Sequence, residues 1–483
     1  MAAERTVRAA RLAELLGPAR GRGPAYAQLA QGIEHLVLDG RLPAGTRLPS
    51  ERDLADALAA SRTTVATAYQ QLRERGYLAT RRGSGSRTTL PASGPQAGRA
   101  LIASQDAGVL DLAAATPPAI PGLASAAEAA LADLPRHTGQ HGYEPHGLPQ
   151  LRAAIAARYT ERGLATDPRQ IVVTAGALSA WDLALRHFTG PGDRVLCEHP
   201  TYPNALRCLE LSGTRGVPVP IDRTGWDAEM VEATARQANP RLAYLVPEFH
   251  NPTGHLMDAE TRSRIAAALA AAGTACVIDE SFVELPLDVD ERDMPAPFAA
   301  YAGSGHAPVL LVGGASKPFW GGLSMGWIRA PARLVDDLVA TRVARSLGTP
   351  VFEQLVLTHL LADRHDLLAP RRAELRARRD HLVAALHAQL PSWEFTVPRG
   401  GLALWCALPE PLATPVTALA AQQRVLVAPG PKFGLGSSFE RFLRVPYTLP
   451  PDQLDEAVRC LAWAYATAST GDGGRPATEA FVA

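Results

Sequence analysis

Two regimes of hydrophobic spacing divide this chain. Near the N-terminus, apolar residues recur at helical intervals: Tyr26, Leu29, Ile33, Leu36 and Val37, then Val65, Ala68, Tyr69 and Leu72. Gly40 ends the first of these helices, and Pro43 to Pro49 reads as a rigid turn. Ser50-Glu51-Arg52-Asp53 has the form of a cap with an acid at its third position, opening a short helix through Leu58. Ser61 caps a third helix, Arg62 to Arg75, and Gly76-Tyr77-Leu78 leads into a basic, glycine-bearing hairpin, Arg81 to Arg87. From about residue 109 the spacing changes. Short apolar runs at Ile171–Val173, Val195–Cys197, Leu242–Val246, Ala275–Ile278 and Val309–Val312 alternate with amphipathic stretches such as Leu178–Phe188 and Glu260–Ala271. That alternation, continuing to about residue 335, predicts an α/β domain with a mostly parallel sheet covered on both faces.

The two regimes set the expected organisation: an N-terminal tail at 1–23, a small α+β domain at 24–88, and an α/β domain at 109–467. Residues 89–108, rich in Ser, Pro, Gly, Ala and Gln, read as a flexible linker, and 468–483 as a disordered tail. A length of 483 residues agrees with two or three domains. The first stretch has scattered charges and no apolar core, so no secretory signal is expected. The longest weakly polar run, Ile265 to Ile278, is too short for a membrane span. Five cysteines, odd in number, far apart and without a Cys-x-x-Cys, argue against a disulfide framework or a zinc site and for a cytoplasmic location.

Charge sharpens the picture. Residues 1–90 carry 14 Arg against 8 Asp and Glu, a net of +6, while the whole chain is neutral. A basic front on an acidic body points to a polyanion as the partner of the first domain. Helix, short helix, turn, helix and basic hairpin together make a winged helix-turn-helix. Its third helix would present Arg62, Thr63 and Thr64 to base edges in the major groove. Arg47 and Arg52 would hold phosphates, with the wing along the backbone or minor groove. A small helical domain with a solvated charged face is the alternative that periodicity alone leaves open.

The second domain has its chemistry at strand ends, where such sheets bind ligands. Gly176-Ala177-Leu178 passes from a strand into a helix N-terminus, a cradle for phosphate or simply a tight turn. Tyr202 follows the next strand, placed to stack on a planar ring or to fill the core. Asn251, in His250-Asn251-Pro252-Thr253-Gly254, offers an amide in a rigid turn. Asp279, closing an apolar strand, suits a protonated pyridine nitrogen or a helix cap. Lys317 follows Val309–Val312 through Gly313-Gly314-Ala315-Ser316. Lys317 and Lys432 are the only lysines among 48 basic residues. Arginine cannot lose its proton near neutral pH, so a lysine at a strand end is a Schiff-base candidate; a chance lysine on a loop is the plainer reading. Five strand ends offering cradle, stacker, amide, carboxylate and amine make the set informative where each part alone is not.

These residues carry resemblances. Tyr26-x-Gln28-Leu29, Leu48-Pro49-Ser50-x-Arg52-x-Leu54-Ala55 and Ser61-Arg62-x-Thr64-Val65-x-x-Ala68-Tyr69-x-x-Leu72 resemble the GntR-type DNA-binding domain. The DNA-contacting set then comprises Arg47, Ser50, Arg52, Arg62, Thr63, Thr64, Tyr69, Arg82 and Gly85. Asn251-Pro252-Thr253-Gly254 and Ser316-Lys317, in their order with the other strand ends, resemble fold-type-I aminotransferases holding pyridoxal 5′-phosphate (PLP). That resemblance implies a tyrosine, Tyr143, reaching a neighbouring subunit's phosphate, and an arginine, Arg444, taking a substrate carboxylate bidentately. Fused in this order, the two halves resemble the MocR family of transcription regulators. The implied protein is a head-to-tail homodimer that binds operator DNA and senses an amino compound or PLP itself.

The sequence departs from the aminotransferase pattern in three places. Ser324 stands where an arginine usually grips the phosphate, Gly314 where a Ser or Thr commonly helps, and Phe282 where a tyrosine tunes the cofactor. Loss of a desolvated charged contact costs ~2–4 kcal/mol. PLP is therefore expected to bind more weakly than usual, through Lys317, Asp279 and Asn251, with efficient turnover in doubt. The competing expectations are a working aminotransferase of an amino acid or amine, and a purely structural dimeric repressor.

Overall fold

Apolar residues at helical spacing converge on a small core in the first unit: Ile33, Leu54, Val65 and Leu72 have no exposed surface. The structure is a computed structural model describing residues 6–16, 24–38, 42, 46–74, 77–81, 85–88, 108–303, 307–436 and 438–470. Two compact units divide after residue 100. The first contains α1 (Ala9–Leu16), α2 (Ala25–Leu38), α3 (Glu51–Leu58), α4 (Arg62–Glu74), β1 (Leu78–Arg81) and β2 (Gly85–Thr88). Ser50 caps α3 by accepting the Asp53 N–H at 3.2 Å, and Ser61 caps α4 by accepting the Thr64 N–H at 3.0 Å. Each hydroxyl satisfies a donor that the helix start leaves unpaired. β1 and β2 pair antiparallel as the wing. The segment before α3 lies along β2, with the Leu48 N–H donating to Ser86 O and the Thr88 N–H to Thr46 O, both at 2.9 Å.

The expected tail at 1–23 instead contributes α1. Leu12 is fully buried in the first unit's core, and the Val7 N–H donates to Arg47 O at 3.0 Å. Too few apolar positions, over too short a run, announce this helix in the sequence; packing on α2 and α3 supplies its stability. Of the expected linker at 89–108, residues 89–107 lie outside the described residues, as do Gly40, Pro43 to Gly45 and Arg82.

The second unit is built on an eight-stranded sheet. In chain order the unit runs β3 (Leu110–Leu112), β4 (Ile171–Thr174), α5 (Ala177–Phe188), β5 (Arg194–His199), β6 (Arg215–Asp222), β7 (Gly225–Trp226) and β8 (Leu242–Leu245). It continues through β9 (Ala275–Asp279), β10 (Val309–Gly314), β11 (Gly326–Arg329), β12 (Ala403–Ala407), β13 (Val425–Pro429), β14 (Phe442–Pro446) and α6 (Pro451–Thr470), with further helices between. The large sheet has the order β4-β11-β10-β9-β8-β5-β6-β7. Neighbours from β10 to β6 are parallel, while β11 runs antiparallel to both β10 and β4. Helices cover both faces, and β8 and β9 are buried along their whole length, as parallel strands covered on two sides must be. A smaller sheet, β12-β14-β13-β3, anchors a separate apolar cluster. Helix α6 ends at Thr470, inside the expected tail, and the residues beyond it lie outside the described set.

Among the strands that the sequence reading did not name, β6 and β11 escaped it for a physical reason. In β6, Pro218 and Pro220 are two residues apart, so both missing donors fall on one side of the strand. The chain tolerates them because β6 lies next to the edge, beside the two-residue β7. β11 is short and begins with a glycine, so its sequence does not announce a strand. Among the described residues, no helix is long and apolar enough to cross a membrane. Leu12→Ala is expected to cost the first unit ~2–4 kcal/mol. Calorimetry of the full chain should show only that unit's transition moving down, and an unmoved transition would mean that α1 does not belong to its core.

Candidate functional site

A cavity of about 240 Å³ opens at the ends of β4, β5, β8, β9 and β10. Of the expected residues, Gly176, Ala177, Leu178, Tyr202, Asn251, Asp279, Ser316, Lys317 and Arg444 all line it. Tyr143 does not; it is 56% exposed, and its N–H donates to His141 Nδ1 at 3.0 Å.

Asp279 is buried at the end of β9. Its Oδ1 accepts from the Ser281 N–H at 2.9 Å and the Ser281 hydroxyl at 2.5 Å, and its Oδ2 accepts from the Tyr244 hydroxyl at 2.7 Å. Burial pushes its pKa up, and the bonds from Ser281 and Tyr244 oppose that shift. Lys317 Nζ donates to Ala115 O at 3.0 Å. Burial pushes the Lys317 ammonium down to about 8, with repulsion from Arg444 adding to the shift and Asp279 opposing it. Near physiological pH the neutral form is then a minority, but a far larger one than an ordinary lysine offers, which favours nucleophilic use.

Arg444, on β14, is 3% exposed. It donates to Asn251 Oδ1 at 3.2 Å and to Ala113 O, while its Nε has no partner. Burial lowers its guanidinium to about 10. Because arginine only donates, the contact fixes the Asn251 amide with its oxygen towards Arg444, leaving the NH2 group as a donor for the cavity.

At the end of β4, Gly176 has φ +98°, and a Cβ there would meet nothing within 4 Å. Directly beneath it, a Cβ on Gly326 would fall 2.4 Å from the Gly176 carbonyl carbon and 2.7 Å from the Ala177 nitrogen. Gly326 lets the loop lie flat on β11, with the first N–H groups of α5 facing the cavity. A Cβ at Gly314 would press on the same Ala177 nitrogen at 3.3 Å, so the glycine in place of a hydroxyl residue matches a tight backbone approach. Ser324 also lines the cavity, in the left-handed region at φ +47°.

Sequence reasoning missed Tyr244 and Gly326. Tyr244 lay inside an apolar strand run and carried no signal beyond its hydroxyl. Gly326 opens β11, a strand that the sequence did not announce. Phe282 lines the cavity without a hydroxyl, and the Tyr244 hydroxyl is already engaged by Asp279.

In the first unit, Arg47, Arg52, Arg62 and Thr63 are exposed, as is Gly85, whose Cβ would lie 3.1 Å from Arg47 Nε. The Ser50 hydroxyl is occupied by the cap and by Asp53, and Thr64 is half-buried with its hydroxyl 2.8 Å from that of Ser61. Tyr69 corrects the expectation. It is 1% exposed and donates its hydroxyl to Pro49 O at 3.0 Å, tying α4 to the turn before α3 and presenting nothing to DNA. Its recurrence with Val65 and Leu72 marked it as a core position.

The bacterial regulatory gntR family profile matches residues 25–87, and the aminotransferase class I and II profile matches 108–461. An uncharacterised HTH-type transcriptional regulator of Escherichia coli, YdcR, is 31% identical over 87% of this chain and 94% of its own length. The probable rhizopine catabolism regulatory protein MocR of Rhizobium meliloti is 30% identical over 70% of this chain and 71% of its own. The chain belongs to the MocR-type transcription regulators. For the second unit of this regulator, the crystal structure of LysN, an α-aminoadipate aminotransferase from Thermus thermophilus complexed with N-(5′-phosphopyridoxyl)-L-leucine, superposes with a TM-score of 0.68. That structure is 29% identical, covering 78% of this chain and 97% of its own. The regulator thus joins a GntR helix-turn-helix to a fold-type-I aminotransferase fold.

Gly326→Ala is expected to destabilise the second unit by ~1–3 kcal/mol, since the clash is with backbone and no rotamer relieves it. A thermal melt unchanged by the substitution would show that the Gly176 loop stands clear of β11.

Proposed function

We propose that the regulator holds PLP in the strand-end cavity and reads a small amino compound there, and that a homodimer couples this to operator DNA. The observation that carries this reading is the pairing, in one cavity, of a buried carboxylate with an amine lowered to about 8. When bound, PLP supplies an aldehyde that bonds reversibly to amines. Lys317 fits as the amine for that aldehyde and Asp279 as the partner of a pyridine N–H. The Asn251 NH2 fits a phenolate oxygen, the Ala177 and Leu178 N–H groups fit the phosphate, and Tyr202 fits the ring face. Arg444, with an unpartnered buried Nε, suits the carboxylate of an amino-acid effector.

The fit is weakest at the phosphate. Lys317 and Arg444 are the only cationic side chains lining the cavity among the described residues, and Ser324 gives no charge. Tyr143 and Leu178 are exposed by 56% and 37%, the kind of apolar surface that a second subunit covers. In a head-to-tail pair Tyr143 would complete the partner's phosphate site. With no hydroxyl at Phe282 and weak phosphate binding, the reading is of a sensor and not of an efficient transaminase. On the DNA side, Arg62 and Thr63 at the start of α4 read bases, and Arg47 and Arg52 hold phosphates.

Added PLP should give a visible absorption band that Lys317→Ala abolishes, and borohydride should fix the cofactor on Lys317. The rate of capture should rise with pH through about 8, because the amine is protonated and unreactive below that value. Ser324→Arg should tighten PLP by up to ~2 kcal/mol; arginine meets the same left-handed backbone penalty as many side chains, so strain only reduces the gain. A band that survives Lys317→Ala would sink the proposal. For DNA, affinity should fall steeply with salt, and Arg62→Ala should lose site preference with ~1–3 kcal/mol of discrimination. Undiminished preference in an electrophoretic shift assay would remove Arg62 from base reading.

A further inference from the structure

A second cavity of about 280 Å³ lies in the larger unit and shares no lining residue with the first. Its wall is aromatic: Phe395, Trp405, Phe439 and Phe442. Trp405 and Phe442 stack with centroids 5.1 Å apart and planes within 7°, and Phe439 meets Phe442 edge to face at 6.0 Å. All four rings are only half-buried. Packed aromatic side chains normally close over one another in a core; here they line an opening.

The rim is charged, and its sign is uneven. Asp222 and Glu394 set two carboxylates against the single guanidinium of Arg223. Arg223 pairs with Glu394, but the two side chains are 74% and 66% exposed, so that pair is weak and exchangeable. The backbone N–H and hydroxyl of Thr224 both donate to Asp222 Oδ1, which keeps this carboxyl below the ordinary range and ionised. His255 adds no compensating charge. Its Nε2 donates to Asp222 O at 2.9 Å, and burial lowers its pKa.

We propose that this second cavity is a binding site for an organic cation, an ammonium group carrying an apolar or aromatic body. Aromatic faces attract a desolvated cation through their quadrupoles, and a surplus carboxylate favours it over a neutral or anionic body of the same shape. The ammonium displaces Arg223 from Glu394, and the body lies against Trp405 and Phe442. Occupancy has a route to the first cavity: Thr253 lines the second, and its hydroxyl bonds His250 Nδ1 at 2.8 Å, one residue before Asn251. The site stands whether or not the first cavity holds PLP.

The test is calorimetric titration of the full-length protein with benzyltrimethylammonium, a quaternary ion that cannot condense with an aldehyde and so ignores PLP chemistry. Phenylacetate and benzyl alcohol are the anionic and neutral comparisons. Saturable binding of the cation at one per chain is expected, with much weaker binding of both comparisons. Trp405→Ala should weaken the cation roughly tenfold. Glu394→Gln should weaken it severalfold, and Arg223→Ala, which frees Glu394, should tighten it. The last two sites are exposed, so their opposed shifts remain readable even where Trp405→Ala does not fold. No saturable heat, phenylacetate binding as tightly as the cation, or equal affinity in the Glu394 and Arg223 variants would overturn the proposal.

Discussion

Removing Asp279 from water is the constraint around which the second unit is arranged. A carboxylate at the end of a fully buried strand is tolerable only when hydrogen-bonded and faced by positive charge. Ser281 and Tyr244 supply the bonds. Lys317, one strand over, supplies charge, and Asp279 in return supports the proton affinity that burial and Arg444 reduce. Asp279 closes β9 and Lys317 follows β10, neighbouring parallel strands that must therefore end at one level. Parallel strands do so because each connection crosses back to start the next strand from the same side.

The same arrangement explains the glycines. Placing helix N–H groups beside a cavity needs the loop after β4 to lie on the strands below it, and any Cβ at Gly326 would forbid that approach. Departures that look like losses in isolation then take on a joint meaning. Gly314 matches a close backbone contact, whereas Ser324 and Phe282 remove a charge and a hydroxyl and put nothing in their place. On the proposed reading, a cavity that keeps its amine, carboxylate and arginine but offers a phosphate less charge is suited to reversible occupancy. A helix-turn-helix regulator requires this of a sensing domain, since a ligand shifts an equilibrium only by its difference in affinity between two states.

Much of the site was legible because it lay at the ends of strands that hydrophobic spacing already marked. Lys317 was visible through the scarcity of lysine, and Asn251 through its rigid turn. What stayed hidden had ordinary local chemistry. Tyr244 reads as one more apolar residue in β8, and Gly326 as one more glycine in a glycine-bearing stretch. Tyr69 shows the reverse error: its resemblance to a motif suggested contact with DNA, while its helical register with Val65 and Leu72 already pointed inward. Helix α1 was missed because eight residues carry too little propensity to announce themselves without the surface they pack on.

Local order therefore determined the kinds of element, the division into a basic first part and an acidic second part, and the inventory of reactive groups. Direction and distance came only with the fold. Asp279 and Glu280 are adjacent carboxylates in the chain, yet one lines the cavity and the other pairs with Arg162 at 3.0 Å. Successive residues of a strand point to opposite faces, so register decides which of the two meets the amine. Arg444 lies 193 residues from the amide it orients, and four aromatic side chains scattered between 395 and 442 become one wall. No local pattern encodes such meetings, because they depend on where entire sheets come to rest.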